Sequence, residues 1–149
     1  KNEAGIAIIM GHEVAHALAN HGQQRMSAGM IQQGVGAGVA IATKDKSKSE
    51  QDIWMQAFAV GSSVGGMLPF SRSHETEADE IGLYLTAIAG YNPDEASLLW
   101  ERMKENSKEK SPPEFLSTHP SNDSRIVNLR TLSNKAKQEA RKFGVTTFR

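Results

Sequence analysis

The sequence predicts a mainly helical domain, and three observations carry that reading. Apolar residues recur at three- and four-residue spacing over long stretches, helix-start and helix-stop residues bracket those stretches, and no run alternates polar and apolar side chains as a half-buried strand would. With 149 residues, 38% of them hydrophobic, the chain is expected to form a single domain, residues 1–149, with one compact core and one active site.

The first helix is read over residues 4–21, where Ile6, Ile9, Met10, Val14, Ala17 and Leu18 predict a largely buried helix that Gly22 stops. The chain begins almost inside this apolar run, which implies a segment upstream of Lys1 that was trimmed or processed away. Two small-residue stretches, 26–43 and Ile53 to Leu68, flank the charged run KDKSKSEQD and read as close-packing helices joined by a solvated turn. Their Gly/Ala density admits a membrane-active reading, but burial inside the domain is the favoured one.

Pro69 is expected to interrupt the second stretch, with Ser71 or Ser73 capping a new helix that Gly90 ends near Ala89. Asn92 as N-cap, Pro93 as first residue and Glu95 as capping-box acid predict a helix to about Asn106. After a proline-containing loop, Ser121 or Asn122 opens a last helix, with Ile126, Leu129, Leu132 and Ala136 on one face and Gly144 as its release.

Composition narrows the chemistry. Seventeen basic and seventeen acidic side chains balance, so no global field draws the chain to nucleic acid, and any partner must be recognised locally. The absence of cysteine removes disulfides and thiolate metal sites and leaves His, Asp and Glu as the strong ligands. No signal peptide is visible and no apolar stretch reaches the roughly 20 residues that span a bilayer, so the chain as given is expected to be soluble.

The sequence HEVAH lies inside the first helix. His12 and His16 are four residues apart, so their imidazoles leave one helix face and can converge on one zinc ion, with Zn–N bonds of about 2.0–2.1 Å. In that HExxH pattern Glu13 does not bind the metal; it takes a proton from the water whose pKa the cation has lowered, and later delivers it to the leaving amine. A tetrahedral catalytic zinc needs a third protein ligand, and the acidic cluster Glu75, Glu77, Asp79 and Glu80 in SRSHETEADEIG is the best source. Glu75 and Asp79 share a helix face while Glu77 points about 200° from Glu75, so the third ligand is assigned to Glu75. Asp79, one turn on, is placed to accept a hydrogen bond from the free ring nitrogen of a ligating histidine. His21 and His74 are assigned to packing or solvent.

GHEVAHALANHG, SRSHETEADEIGL and STHPSNDSRI together resemble, in order, the three signatures of metallopeptidase family forty-eight, the HtpX-like and BepA/LoiP-like gluzincins. The first motif is most similar to the BepA/LoiP-like periplasmic branch. The resemblance implies a zincin-like metallopeptidase catalytic core with one Zn2+ per chain, and it too places the third ligand on Glu75 and gives Asp79 the supporting role. It implies further that His119 approaches the metal or the developing oxyanion, and that Arg125 holds this edge of the cleft. A gate in which His119 occupies the water position until substrate displaces it is a further expectation.

Family members carry β-structure before the active-site helix, absent from this chain, including an edge strand that pairs with extended substrate. The implied function is a zinc endopeptidase acting on unfolded or misassembled proteins, in protein quality control of the bacterial periplasm or outer membrane. The competing readings are a non-cleaving, zinc-bearing chaperone-like binding module and a zinc hydrolase of non-peptide substrates. Neither nucleic acid nor a transmembrane segment enters any of them, and membrane association is left to parts outside the chain.

Overall fold

A computed structural model of the chain describes residues 3–109, 119 and 123–149, except the side chains of 68–70 and 107–109. Among these residues all helical and no strand structure is present, in the order α1 (Glu3–Leu18), α2 (His21–Ala42), α3 (Lys48–Ser62), a π-helical turn (Ser63–Met67), α4 (Leu68–Ile88), α5 (Glu95–Glu109) and α6 (Asp123–Lys142). They form two compact units: residues 1–19 with 75–149, and residues 20–74.

The first unit holds α1, the larger part of α4, α5 and α6. Its core is built from Ile8 of α1, Leu83 and Ala87 of α4, Ala96 and Trp100 of α5, and Ile126, Leu129, Ala136 and Ala140 of α6. The small side chains let helices approach; the larger ones fill the space between them. At the crossing of α1 and α4 even alanine is too large. A β-carbon on Gly82 would lie 2.8 Å from the Gly11 carbonyl carbon and the His12 nitrogen, and one on Gly11 would lie 2.6 Å from Thr86 Oγ1. Thr86 Oγ1 donates within α4 to the Gly82 carbonyl at 2.8 Å and lies 3.3 Å from the Ala7 carbonyl of α1, so the crossing is polar as well as tight.

Two expectations about α1 are corrected here. The helix ends at Leu18, and Gly22 lies within α2 instead of stopping α1, because Asn20 makes the turn with a left-handed backbone (φ 56°), a conformation asparagine tolerates better than most residues. The helix is also not buried along its apolar stripe. Its buried face is Ala4, Gly5, Ile8, Gly11, His12 and Ala15, whereas Ile6, Met10, Val14 and Leu18 are exposed. The i, i+4 spacing does define one face, but the face turned to the core is the one bearing small residues and the histidine.

Later elements follow the sequence more closely. Gly90 (φ 85°) ends α4, Asn92 Oδ1 accepts from Asp94 N at 3.1 Å in the turn before α5, and Gly144 (φ 81°) releases the chain after α6. The helix start assigned to Ser121 or Asn122 and the loop before His119 lie outside the described residues.

The second unit is the α2–α3 hairpin with the π turn and the start of α4. The turn between the helices ends in a capping box, with Ser47 and Glu50 bonding each other's backbone N–H. Gly36 gives Phe58 room, since a β-carbon at that position would lie 3.0 Å from the ring, and Gln32 Nε2 donates to Ser62 Oγ at 2.9 Å. The favoured burial of this stretch is overturned: α3 has no buried residue, and α2 buries only His21 and Gly36. Pro69 does not break the chain either. The helical run continues from α3 through the π turn directly into α4, so Pro69 lies within it just after the irregular turn, and neither Ser71 nor Ser73 starts a helix.

Replacing Gly82 with alanine should destabilise the chain by about 1–3 kcal/mol, because backbone atoms of α1 must give way. Gly38→Ala, a helical site with open space around it, should be neutral or stabilising by up to about 1 kcal/mol. Urea melts of the two variants check the contrast; equal stability would mean that the α1–α4 crossing is not this tight.

Candidate metal centre

His12 and His16 leave α1 one turn apart, Glu75 comes from α4, and His119 joins them; one ligand atom from each of these four residues lies within 4.8 Å of the others. His12 Nε2 and His16 Nε2 are 3.1 Å apart, His12 Nε2 and Glu75 Oε2 3.4 Å, and His16 Nε2 and Glu75 Oε1 3.3 Å. A tetrahedral ion with bonds of about 2.0–2.1 Å requires edges of about 3.3–3.4 Å between its donors. The two imidazole nitrogens and the Glu75 carboxylate, whose two oxygens each face one imidazole, therefore lie at spacings close to those such an ion requires.

The surroundings orient the ligating side chains. Asp79, one turn beyond Glu75, puts Oδ1 3.1 Å from His12 Nδ1, which favours the tautomer whose Nε2 lone pair faces the centre. Arg125 of α6 grips Asp79 in fork geometry, Nε to Oδ2 and Nη2 to Oδ1 at 2.7 Å each, and reaches Glu75 Oε2 with Nη1 at 2.8 Å. Its guanidinium lies 4.3 Å from the centroid of the Trp100 ring. Trp100 is buried, and its ring meets that of His12 edge-on at 6.3 Å. Sequence reasoning misses this floor of the site: an aromatic residue on a core-facing helix gives no signal separating it from ordinary packing.

Burial opposes ionisation of Glu75, but hydrogen bonds with His119, His12 and His16, aided by the Arg125 charge, hold its carboxyl far below the usual range. For His12, burial likewise works against the charged form, yet hydrogen bonds to Asp79 and Glu75 raise its pKa above 6.5.

His119 faces two groups at once. Its Nδ1 is 3.3 Å from His12 Nε2 and 3.0 Å from Glu75 Oε1, and its Nε2 is 3.2 Å from Glu13 Oε1. Glu13 is half exposed on the solvent side of α1. Of the other acidic candidates, Glu77 is exposed and Glu80 pairs with Tyr84 and Lys135, away from the donor set. His21 and His74 are both buried and stack on each other in the second unit, with ring centroids 4.1 Å apart.

The known proteins similar to this chain are peptidases. The profile of peptidase family M48 matches residues 1–133. The mitochondrial metalloendopeptidase OMA1 of Saccharomyces cerevisiae is 34% identical over 142 residues, which cover 92% of this chain and 39% of that protein. The protein of the same name from Schizosaccharomyces pombe is 37% identical over 130 residues, 87% of this chain and 36% of its own. The beta-barrel assembly-enhancing protease of Escherichia coli K12 is 28% identical over 143 residues, 90% of this chain and 28% of its own. The chain thus spans less than two-fifths of the length of these relatives. No solved structure gives a significant match.

The two shifts predict opposite pH trends for metal-free and metal-loaded protein. A raised His12 pKa stabilises the metal-free fold below 6.5 and ceases to do so as pH rises through the folded value, while the depressed Glu75 contributes above 4.5 and is lost only in strong acid. Metal must displace the His12 proton, so apparent affinity should fall about tenfold per pH unit below that pKa. Melting curves between about pH 6 and 8 should show the metal-free chain losing stability while the increment given by metal widens. A metal increment independent of pH would remove His12 from the ligand set.

Proposed function

The chain belongs to peptidase family M48, and we propose that it is a zinc endopeptidase acting on unfolded or misassembled proteins, with one zinc ion per chain on His12, His16 and Glu75. The donor triangle carries this reading: two imidazole nitrogens and a carboxylate at tetrahedral spacing are a zinc ligand set with one corner left for water. Bound zinc supplies the lowered pKa of that water and polarises the scissile carbonyl.

The protein groups do the rest. Glu13, with Oε1 on the solvent side of the donor set, takes the proton of the attacking water and hands it to the leaving amine, serving as base and then as acid. Asp79 holds the His12 ring in its ligating tautomer. Arg125 positions both carboxylates and balances their charge in a buried setting.

His119 acts as a gate in this reading. With Nδ1 at the donor set and Nε2 on Glu13, one ring occupies the water corner and the general base together, so substrate must move it before hydrolysis starts. Once displaced, the imidazole can donate to the developing oxyanion.

A role in quality control of the bacterial periplasm or outer membrane is the narrower form of the proposal, supported by the likeness to the beta-barrel assembly-enhancing protease. The mitochondrial relatives support an organellar address for the same chemistry.

Zinc-loaded chain should cleave unfolded casein, and Glu13→Gln should lower the rate by about 100-fold or more while keeping one zinc per chain. His119→Ala in the same assay should raise basal cleavage if the gate dominates and lower it if oxyanion stabilisation dominates. Wild type and Glu13→Gln that are equally inert, yet bind casein alike, would favour the non-cleaving module.

A further inference from the structure

The second unit carries a charge pattern that the metal centre does not use. Residues 26–43 and 53–71 contain no ionisable side chain. The charges of the hairpin gather at its two ends: Lys44, Asp45, Lys46, Lys48, Glu50 and Asp52 at the tip, Arg25 and Arg72 at the base. Five of these are basic and three acidic: the tip is balanced, three lysines against three acids, and the excess of positive charge lies at the base on Arg25 and Arg72.

These charge-free stretches make up most of α2 and α3, whose large apolar side chains are largely exposed. Ile31, Ile41, Ile53 and Val60 are 65 to 69% exposed. Between the helices runs a groove of about 340 Å³ lined by Ile31, Val35, Phe58 and Met67. The polar residues in it, Gln32 and Ser62, bond to each other, so the surface presented by the groove is carbon. Single exposed apolar residues are ordinary, but a contiguous surface of them marks an interaction site.

The layering points to the partner. A protein partner is met by an apolar centre with a polar rim, whereas here the charge-free part of α2, residues 26–42, extends for about 25 Å at 1.5 Å per residue, with charge at the ends of the hairpin. Trp54, 53% exposed, stands next to the charged tip in sequence, where an indole suits the boundary between headgroups and acyl chains. No described helix is long and apolar enough to cross a membrane, so the hairpin has to lie along the surface. We propose that α2 and α3 form a membrane-surface anchor whose apolar flank sits at the headgroup–acyl boundary of an anionic bilayer, with the basic side chains at its two ends toward the phosphates. The anchor is independent of the zinc reading and holds whether or not the chain cleaves peptides. Together with that reading, it brings the metal centre to proteins at a lipid surface.

Flotation of the chain with vesicles of phosphatidylcholine and phosphatidylglycerol in equal parts tests the anchor. The chain should float with these vesicles, less with phosphatidylcholine alone, and less at raised salt. Trp100 is buried, so acyl-chain-brominated lipid should quench Trp54, and the quenching should vanish in Trp54→Phe. The combined variant Ile41→Ser, Ile53→Ser and Val60→Ser should partition at least tenfold less while keeping its helical circular dichroism and its zinc. A chain that stays in the soluble fraction, or floats without quenching of Trp54, overturns the proposal. Self-association abolished by the triple variant, without vesicle binding, would assign the flank to a second copy; loss of casein binding alone would assign it to an unfolded client.

Discussion

At the crossing of α1 and α4 the backbones of Gly11 and Gly82 come so close that neither position has room for a β-carbon. The donor set depends on this contact. His12 follows Gly11 directly, so its imidazole leaves α1 at the contact, and His16 follows one turn later on the same face. On α4, Asp79 precedes Gly82 by less than one turn and Glu75 by about two, which brings both carboxylates to the rings of α1. A wider crossing would turn these distances into gaps that no side-chain rotation closes.

Bringing two carboxylates and several imidazoles into a buried space carries an electrostatic cost that Arg125 meets from the third side. Its single charge serves Asp79 and Glu75 together, its face lies on Trp100, and its side chain is only 5% exposed. Such a network is poor evidence of net stability, because desolvation offsets much of the attraction, but removal of one partner leaves the others unpaired at about 3–5 kcal/mol. Its value here is positional. Glu75 is held ionised, Asp79 is held against His12, and a dication entering the donor set meets a carboxylate ready to bind and a His12 proton to displace.

Local geometry is legible in the sequence. The four-residue spacing of His12 and His16 determines a shared helix face, and the same spacing between Glu75 and Asp79 separates them from Glu77. Gly90 and Gly144 can be read as stops because positive φ is a local demand. What the sequence hides depends on partners elsewhere in the fold. The stripe of Ile6, Met10 and Val14 resembles a core face, yet the close crossing needs small residues, so the face with Gly11 and Ala15 turns inward. Pro69 resembles a break, yet the helical run passes through it, directly after a π turn that no local residue pattern announces. The double grip of Arg125 and the Trp100 floor require α5 and α6 to meet α4, which no spacing in the chain encodes. The exposure of α2 and α3 is hidden for a related reason: small and apolar residues mark a helix that packs on something, without saying whether that is protein or lipid.

The central claim is that two imidazoles from α1 and one carboxylate from α4 share a single ion. X-ray absorption at the zinc edge of stoichiometrically loaded chain measures this directly. Such a centre predicts nitrogen and oxygen scatterers only, at about 2.0–2.1 Å, with the outer-shell pattern of at least two imidazoles that drops by one ring in His16→Ala. A spectrum with no imidazole contribution, or one unchanged by that substitution, would contradict it.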